Sequence, residues 1–236
     1  LIPTPFDQRV LISEASAIAQ AAMDTGVARK PVDIEEYKRQ LEARLGPARE
    51  LMRAIMEKAK RTPKRIVLPE GEEPVVVRAS HAIIDEKLGT PILLGDPDRI
   101  RQIAADAEVD LEGVEILDPA ASDKFDGYVQ ALVNRRMRKG ITVESARSRM
   151  RQPFYFAAMM VEQGDADTLI GGANMSYPNS LRPALQTIDM QSGISKVAGM
   201  YMMLVKDQLY FFADTTVNID PDSEMLAEIA ELTADF

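Results

Sequence analysis

With 236 residues, 46% of them hydrophobic and 28% charged, the chain suits one large folded domain or one and a half ordinary ones, and disorder is excluded. It has no cysteine and one histidine, His81, which excludes disulfides, thiolate metal sites, cysteine nucleophiles and a multi-histidine zinc centre. The net charge is -9, with basic residues gathered between Arg135 and Arg151 and none after Lys206; this balance argues against a nucleic-acid partner and leaves room for a small anion.

No run approaches the roughly 20 apolar residues that cross a bilayer, so no membrane partner is expected. Leu1-Ile2-Pro3-Thr4-Pro5 has neither a starting Met nor a basic region followed by an apolar run. We therefore expect no signal peptide, a start inside a longer protein and a cytoplasmic location.

Pro3 and Pro5 predict an extended entry. Ser13 is the expected cap of a helix that carries Ile18, Ala19, Ala22 and Met23 on one face and ends at Gly26. A long helix is expected over 34–60, capped by Asp33, with Glu35 and Glu36 in its first turn and a break at Gly46-Pro47. From Lys64 the pattern alternates short apolar strands (65–69, 91–95, 114–117, 168–170) with helices (about 74–87, 97 onward, 122–139, 142–151, 153–163, 181–188). Asp96 and Pro97 should open the second of these helices. Strands at 197–205 and 209–212 should form a hairpin through Lys206-Asp207-Gln208, and a helix at 221–232 should be capped by Asp220. Strands separated by such helices imply an α/β fold with a parallel or mixed sheet and helices on both faces.

Ligands of an open α/β sheet bind beyond the carboxyl ends of its strands. Three segments there could carry chemistry. Glu70-Gly71-Glu72-Glu73 is crowded with carboxylates, explained either by the dipole of the following helix or by hydrogen bonding to a ligand. The segment 171–180 has two glycines, no acid, and leads to a helix N-terminus. It is either a plain turn or an anion site in which Ser176, Asn179, Ser180 and Arg182 add donors. The cluster Arg135 to Lys139 either complements a helix C-terminus or holds a phosphate. His81 and the methionines Met200, Met202 and Met203 are expected to be structural, the methionines as core filling. No P-loop, GxGxxG, HExxH or GxSxG occurs.

Several motifs, in order, resemble phosphotransacetylases: Ile66-Val67-Leu68-Pro69-Glu70-Gly71-Glu72-Glu73, Pro91-Ile92-Leu93-Leu94-Gly95, Arg136-Met137-Arg138-Lys139-Gly140, Leu181-Arg182-Pro183-Ala184-Leu185-Gln186 and Phe212 through Pro221. The head, Leu1 to Asp7 followed by Ala19 to Gly26, is similar to the end of the cofactor domain of bacterial malic enzymes. Together they resemble the hybrid malic enzymes.

That resemblance implies a three-layer αβα sandwich in two subdomains, incomplete at the C-terminus. Its expected divisions are a cofactor-domain tail (1–30), a helical linker (31–63), a first subdomain (64–152) and part of a second (153–236). It implies oxidative decarboxylation of malate with NADP and a divalent metal (Mg or Mn), both upstream, and no catalytic or metal residues within this chain. The domain itself would sense acetyl-CoA and assemble a homo-oligomer. Its implied ligand contacts are Arg136, Gly171, Gly172, Asn174, Ser176, Tyr177, Asn179 and Arg182, with Arg136 meeting the coenzyme phosphates. Met175 stands where the family often has His, and Asn179 where it often has Asp. The competing expectations are a working phosphate acetyltransferase and a ligand-free dimerisation scaffold.

Overall fold

The computed structural model describes residues 8–43, 47–205 and 208–235. The expected extended entry at Pro3 and Pro5, the Gly46 break and the Lys206-Asp207 turn lie outside them.

Three helices come first: α1 (Gln8–Asp24), α2 (Ile34–Ala43) and α3 (Pro47–Arg61). Ser13 lies inside α1 rather than capping it, because the helix starts a turn and a half earlier than the apolar pattern suggests. Asp33 does cap α2, its Oδ1 accepting the Glu36 N–H at 2.9 Å. Then follow β1 (Lys64–Leu68), α4 (Pro74–Asp85), β2 (Gly89–Leu94), α5 (Pro97–Asp106), β3 (Glu115–Leu117) and α6 (Phe125–Arg136). After a single 3-10 turn at Met137–Lys139 come α7 (Val143–Met150), α8 (Pro153–Glu162), β4 (Thr168–Leu169) and α9 (Tyr177–Thr187). The last elements are β5 (Met200–Val205), β6 (Gln208–Ala213) and α10 (Ser223–Ala234). By internal contacts the chain groups into two compact units, 57–193 and 1–56 with 194–236.

The unit 57–193 is built on a parallel sheet in the order β3-β2-β1-β4. The two-residue period of a strand sends alternate side chains to opposite faces. Val67, Ile92 and Leu94 therefore pack with Tyr128 and Leu132 of α6, Met150 of α7 and Phe156 and Met159 of α8. Ile66, Leu68 and Leu93 pack on the other face with Val77 of α4 and Ile100 and Ala104 of α5. The result is the expected three-layer αβα arrangement, with a purely parallel sheet. β4 is half-buried, since it sits at the edge of this sheet.

Local signals start most of these helices. Asp96 accepts the Asp98 and Arg99 N–H groups, and Pro97 supplies a preset φ at the first position. Thr142 accepts from Ser145 N at 3.2 Å. α9 begins at Tyr177, four residues before the expected Leu181; Pro178 favours the first turn, and Pro183 is accommodated inside the helix.

In the other unit, α1 packs on α2 and α10 packs on β6, with Leu41 and Ile229 buried. β5 and β6 pair antiparallel from Met200↔Ala213 to Val205↔Gln208. Their side chains do not fill a core. Met200 and Met202 are half-buried, and Met203 is exposed along with Tyr201, Leu204, Tyr210, Phe211 and Phe212, so none of the three methionines is buried as core filling requires. The cap of α10 is Asp222, whose Oδ1 accepts Met225 N at 2.8 Å, and not Asp220, because Pro221 and Asp222 precede the first helical turn.

Candidate functional site

The loops that follow β1, β2 and β4 carry the carboxylates and the glycines. Glu70, just after β1, points its carboxylate into the loop after β4. Its Oε2 accepts the N–H groups of Gly172 and Ala173 at 2.6 and 2.8 Å. Its Oε1 accepts those of Asn174 and Met175 at 2.8 and 3.1 Å. The glycine-led loop is thus an anion nest, as its sequence suggests, but the anion is the chain's own. Burial alone would raise the Glu70 pKa; the four backbone donors outweigh it and hold the carboxyl below its usual value.

Glu72 acts in a similar way one loop over, accepting Asp96 N at 3.0 Å and pairing with Arg99 at 2.7 Å. Glu73 sits at the N-cap of α4 without a side-chain bond. The helix dipole therefore does not account for the acids at 70 and 72; they fasten neighbouring loops.

Each glycine of the 171–175 loop is required for a different reason. A Cβ on Gly171 would lie 2.8 Å from Phe154 Cε1 and 2.9 Å from both Phe154 Cζ and Pro69 Cγ. Gly172 has open space around it but a φ of +107°, which side chains disfavour. Ser176 forms the N-cap of α9 through its backbone, with no side-chain cap bond. Tyr177 and Asn179 then fall in the first helical turn.

Beside this loop lies a cavity of about 500 Å³, lined among others by Arg149, Tyr155, Met175, Asn179, Arg182 and Gln186. Such a volume falls within the usual range for small-molecule sites. Among the described residues no carboxylate lines it. Arg149 donates from Nη1 to Gln186 Oε1 at 2.6 Å and lies over the Tyr155 ring at 5.7 Å. Tyr155 Oη donates to the same Gln186 oxygen at 2.8 Å. Arg182 is exposed and makes no ion pair among the described residues. Arg149 and Arg182 thus place two guanidiniums on the same cavity as the apolar Phe154 and Met175, a lining whose chemistry suits an anion with an uncharged portion.

The sequence-derived contacts therefore separate. Asn179 and Arg182 line the cavity. The amides of Gly172 and Asn174 face Glu70, Gly171 packs on Phe154, Ser176 starts α9, and Tyr177 is exposed at 44%. Arg136 lies at the other end of α9, where its Nη1 reaches the Gln186 carbonyl at 3.5 Å. Its neighbour Arg135 is engaged by Glu162 at 2.7 Å, Asp189 at 2.5 Å and the Thr187 carbonyl at 2.6 Å. Cations there complement the helix C-terminus. Arg149 and Gln186 are the residues that sequence reasoning did not single out. The only signal for Arg149 was its place in the basic stretch, one residue before the buried Met150.

A second cavity of about 310 Å³ lies by Lys124, Tyr128 and Asp165, whose side chains bond to one another. Burial first, then the Asp165 contact, pushes the Tyr128 phenol up. The Asp165 carboxyl, raised by burial, is lowered overall by its bonds from Lys124 and Tyr128. His81 bonds the Asp110 carbonyl through Nδ1 at 3.1 Å, away from both cavities. Among the described residues no group of three or more His, Asp or Glu could hold a metal ion, and no helix is long and apolar enough to cross a membrane.

The fold is that of a phosphotransacetylase-like α/β protein. The chain belongs to the phosphate acetyl/butaryl transferase family, whose sequence profile matches residues 50–236. A phosphotransacetylase structure from Streptococcus pyogenes superposes with a TM-score of 0.73 at 35% identity, over 77% of this chain and 56% of that one. The phosphate acetyltransferase of Nitratidesulfovibrio vulgaris is 42% identical over 75% of this chain and 25% of its own length. The NADP-dependent malic enzyme of Rhizobium meliloti is 37% identical over 99% of this chain and 31% of its own length. The chain thus spans about a quarter to a third of these two curated relatives.

Proposed function

We propose that this chain is the acetyl-CoA-sensing and subunit-assembling part of an NADP-dependent malic enzyme, which oxidatively decarboxylates malate to pyruvate and CO2. One observation carries this. The malic enzyme match takes in 99% of the chain, head included, whereas the family profile leaves out residues 1–49 and the acetyltransferase match takes in 75%. The implied NADP and divalent metal do not fit this chain. It has no GxGxxG and its described residues offer no metal cluster; this reading assigns both groups to the catalytic part of the malic enzyme.

The cavity supports the ligand half of the reading. Acetyl-CoA is a polyanion with a long uncharged arm, matching the two arginines and the apolar wall of Phe154 and Met175. Binding only the native state raises stability by about 2.7 kcal/mol at a hundredfold excess over Kd. A thermal-shift titration with acetyl-CoA should therefore raise the unfolding midpoint. No shift at millimolar acetyl-CoA refutes sensing and leaves a scaffold.

A working acetyltransferase is the second reading, favoured by the higher identity, 42% against 37%, to the Nitratidesulfovibrio enzyme. Acetyl phosphate formed from acetyl-CoA and phosphate would establish it. Subunit assembly is checked by sedimentation: a monomer at micromolar concentration would sink that half of the proposal.

A further inference from the structure

Glu70 is a half-buried carboxylate with no cationic partner among the described residues. Four backbone amides hold it instead, two on each oxygen, from residues 102 to 105 positions away in sequence. Its own base is rigid. Gly71 donates to the Leu94 carbonyl at 3.1 Å, and a Cβ there would lie 2.6 Å from that oxygen. Pro69 on its other side is buried and lies against Gly171.

We propose that Glu70 is the positioning residue of the cavity. Its carboxylate fixes the 172–175 backbone, sets where α9 begins, and so places Met175, Asn179 and Arg182 along the wall. By occupying all four amides it also keeps the loop from binding phosphate directly, leaving an anionic ligand to Arg149 and Arg182. Glu70 is tethered beside the four amides by the Gly71–Leu94 bond, so it meets them at a high effective concentration that an anion from solution does not match. This rests on the reading of the cavity as a ligand site.

The test is Glu70→Ala in the whole chain, followed by amide hydrogen exchange, with acetate as a carboxylate that can refill the nest. Exchange at 172–175 should speed up at least about tenfold while β1 and β2 amides keep their protection. Acetate should restore protection where chloride of equal ionic strength does not, a rescue that a general loss of stability would not show. Acetyl-CoA should bind at least about tenfold more weakly. Unchanged exchange, or equal effects of acetate and chloride, overturns the clamp. A loosened loop with unchanged acetyl-CoA affinity overturns the positioning role. Absence of acetyl-CoA binding by the parent overturns the sensing reading, while the exchange and acetate arms still decide the clamp. Should Glu70→Ala not fold, Glu70→Gln keeps the shape and turns an NH2 toward two of the donors, and the same exchange comparison applies.

Discussion

Replacing Gly171 by Ala isolates the steric half of the loop's design. The new methyl would sit 2.8 and 2.9 Å from two ring carbons of Phe154 and 2.9 Å from Pro69 Cγ. Real Cβ atoms do not come that close, so something must move. Phe154 is only 4% exposed, with Tyr155 and Phe156 buried after it in α8, so its ring can give way only toward the cavity it lines. Overpacking of this kind costs about 1–3 kcal/mol. At about 2–4 °C per kcal/mol for a chain of this size, the melting midpoint should fall by about 2–12 °C. Differential scanning calorimetry measures it, and Phe154→Leu supplies the control. The double variant should be more stable than the sum of the single changes by about 1 kcal/mol, because the smaller side chain relieves the contact. Gly172→Ala should cost about 1–3 kcal/mol through backbone strain alone and show no coupling to position 154. A Gly171→Ala midpoint equal to the parent's, or strict additivity with Phe154→Leu, would refute the steric account.

Arg182→Ala and Arg149→Ala should each weaken acetyl-CoA binding by about tenfold or more, read by calorimetric titration at fixed salt. Arg136→Ala should weaken it less, since Arg136 lies beyond the far end of α9; a loss equal to that of Arg182→Ala would move the phosphate site there. Arg135→Ala should lower stability by about 2–4 kcal/mol, because Glu162 would be left partly buried without its cation; unchanged denaturant unfolding would contradict this. The Asp165 carboxyl has a folded pKa below its unfolded value. Its contribution is therefore complete above the unfolded value of about 3.9 and is lost as pH falls through the lower folded value. Asp165→Asn should flatten the acid limb of a stability–pH curve, and an unaltered limb would assign that dependence elsewhere.

Short-range chemistry was readable from the sequence. Asp96 with Pro97, and the short apolar runs of β1 and β2, each act within a few residues, and each appears in the structure as expected. Helix starts failed where several candidates compete: Asp222 outcompetes Asp220, and Pro183 conceals a helix that had already begun at Tyr177. The anion nest at 171–175 was legible from its glycines, but its occupant was not. The partners of Glu70 are backbone amides more than a hundred positions away, and every residue but proline has such an amide. The exposed hairpin misled for a similar reason, since an apolar strand reads the same whether or not anything covers it.

The Glu70 clasp also bears on how freely this loop can vary. A carboxylate that grips N–H groups is indifferent to the side chains they belong to, so at 173, 174 and 175 only proline is forbidden outright. Loop geometry and loop chemistry are thereby uncoupled: Met175 can face the cavity, and another residue could replace it, without altering the path of the backbone. Single exchanges along this stretch therefore change what the cavity wall presents without moving its backbone, while the acid at 70 and the glycines at 171 and 172 stay fixed.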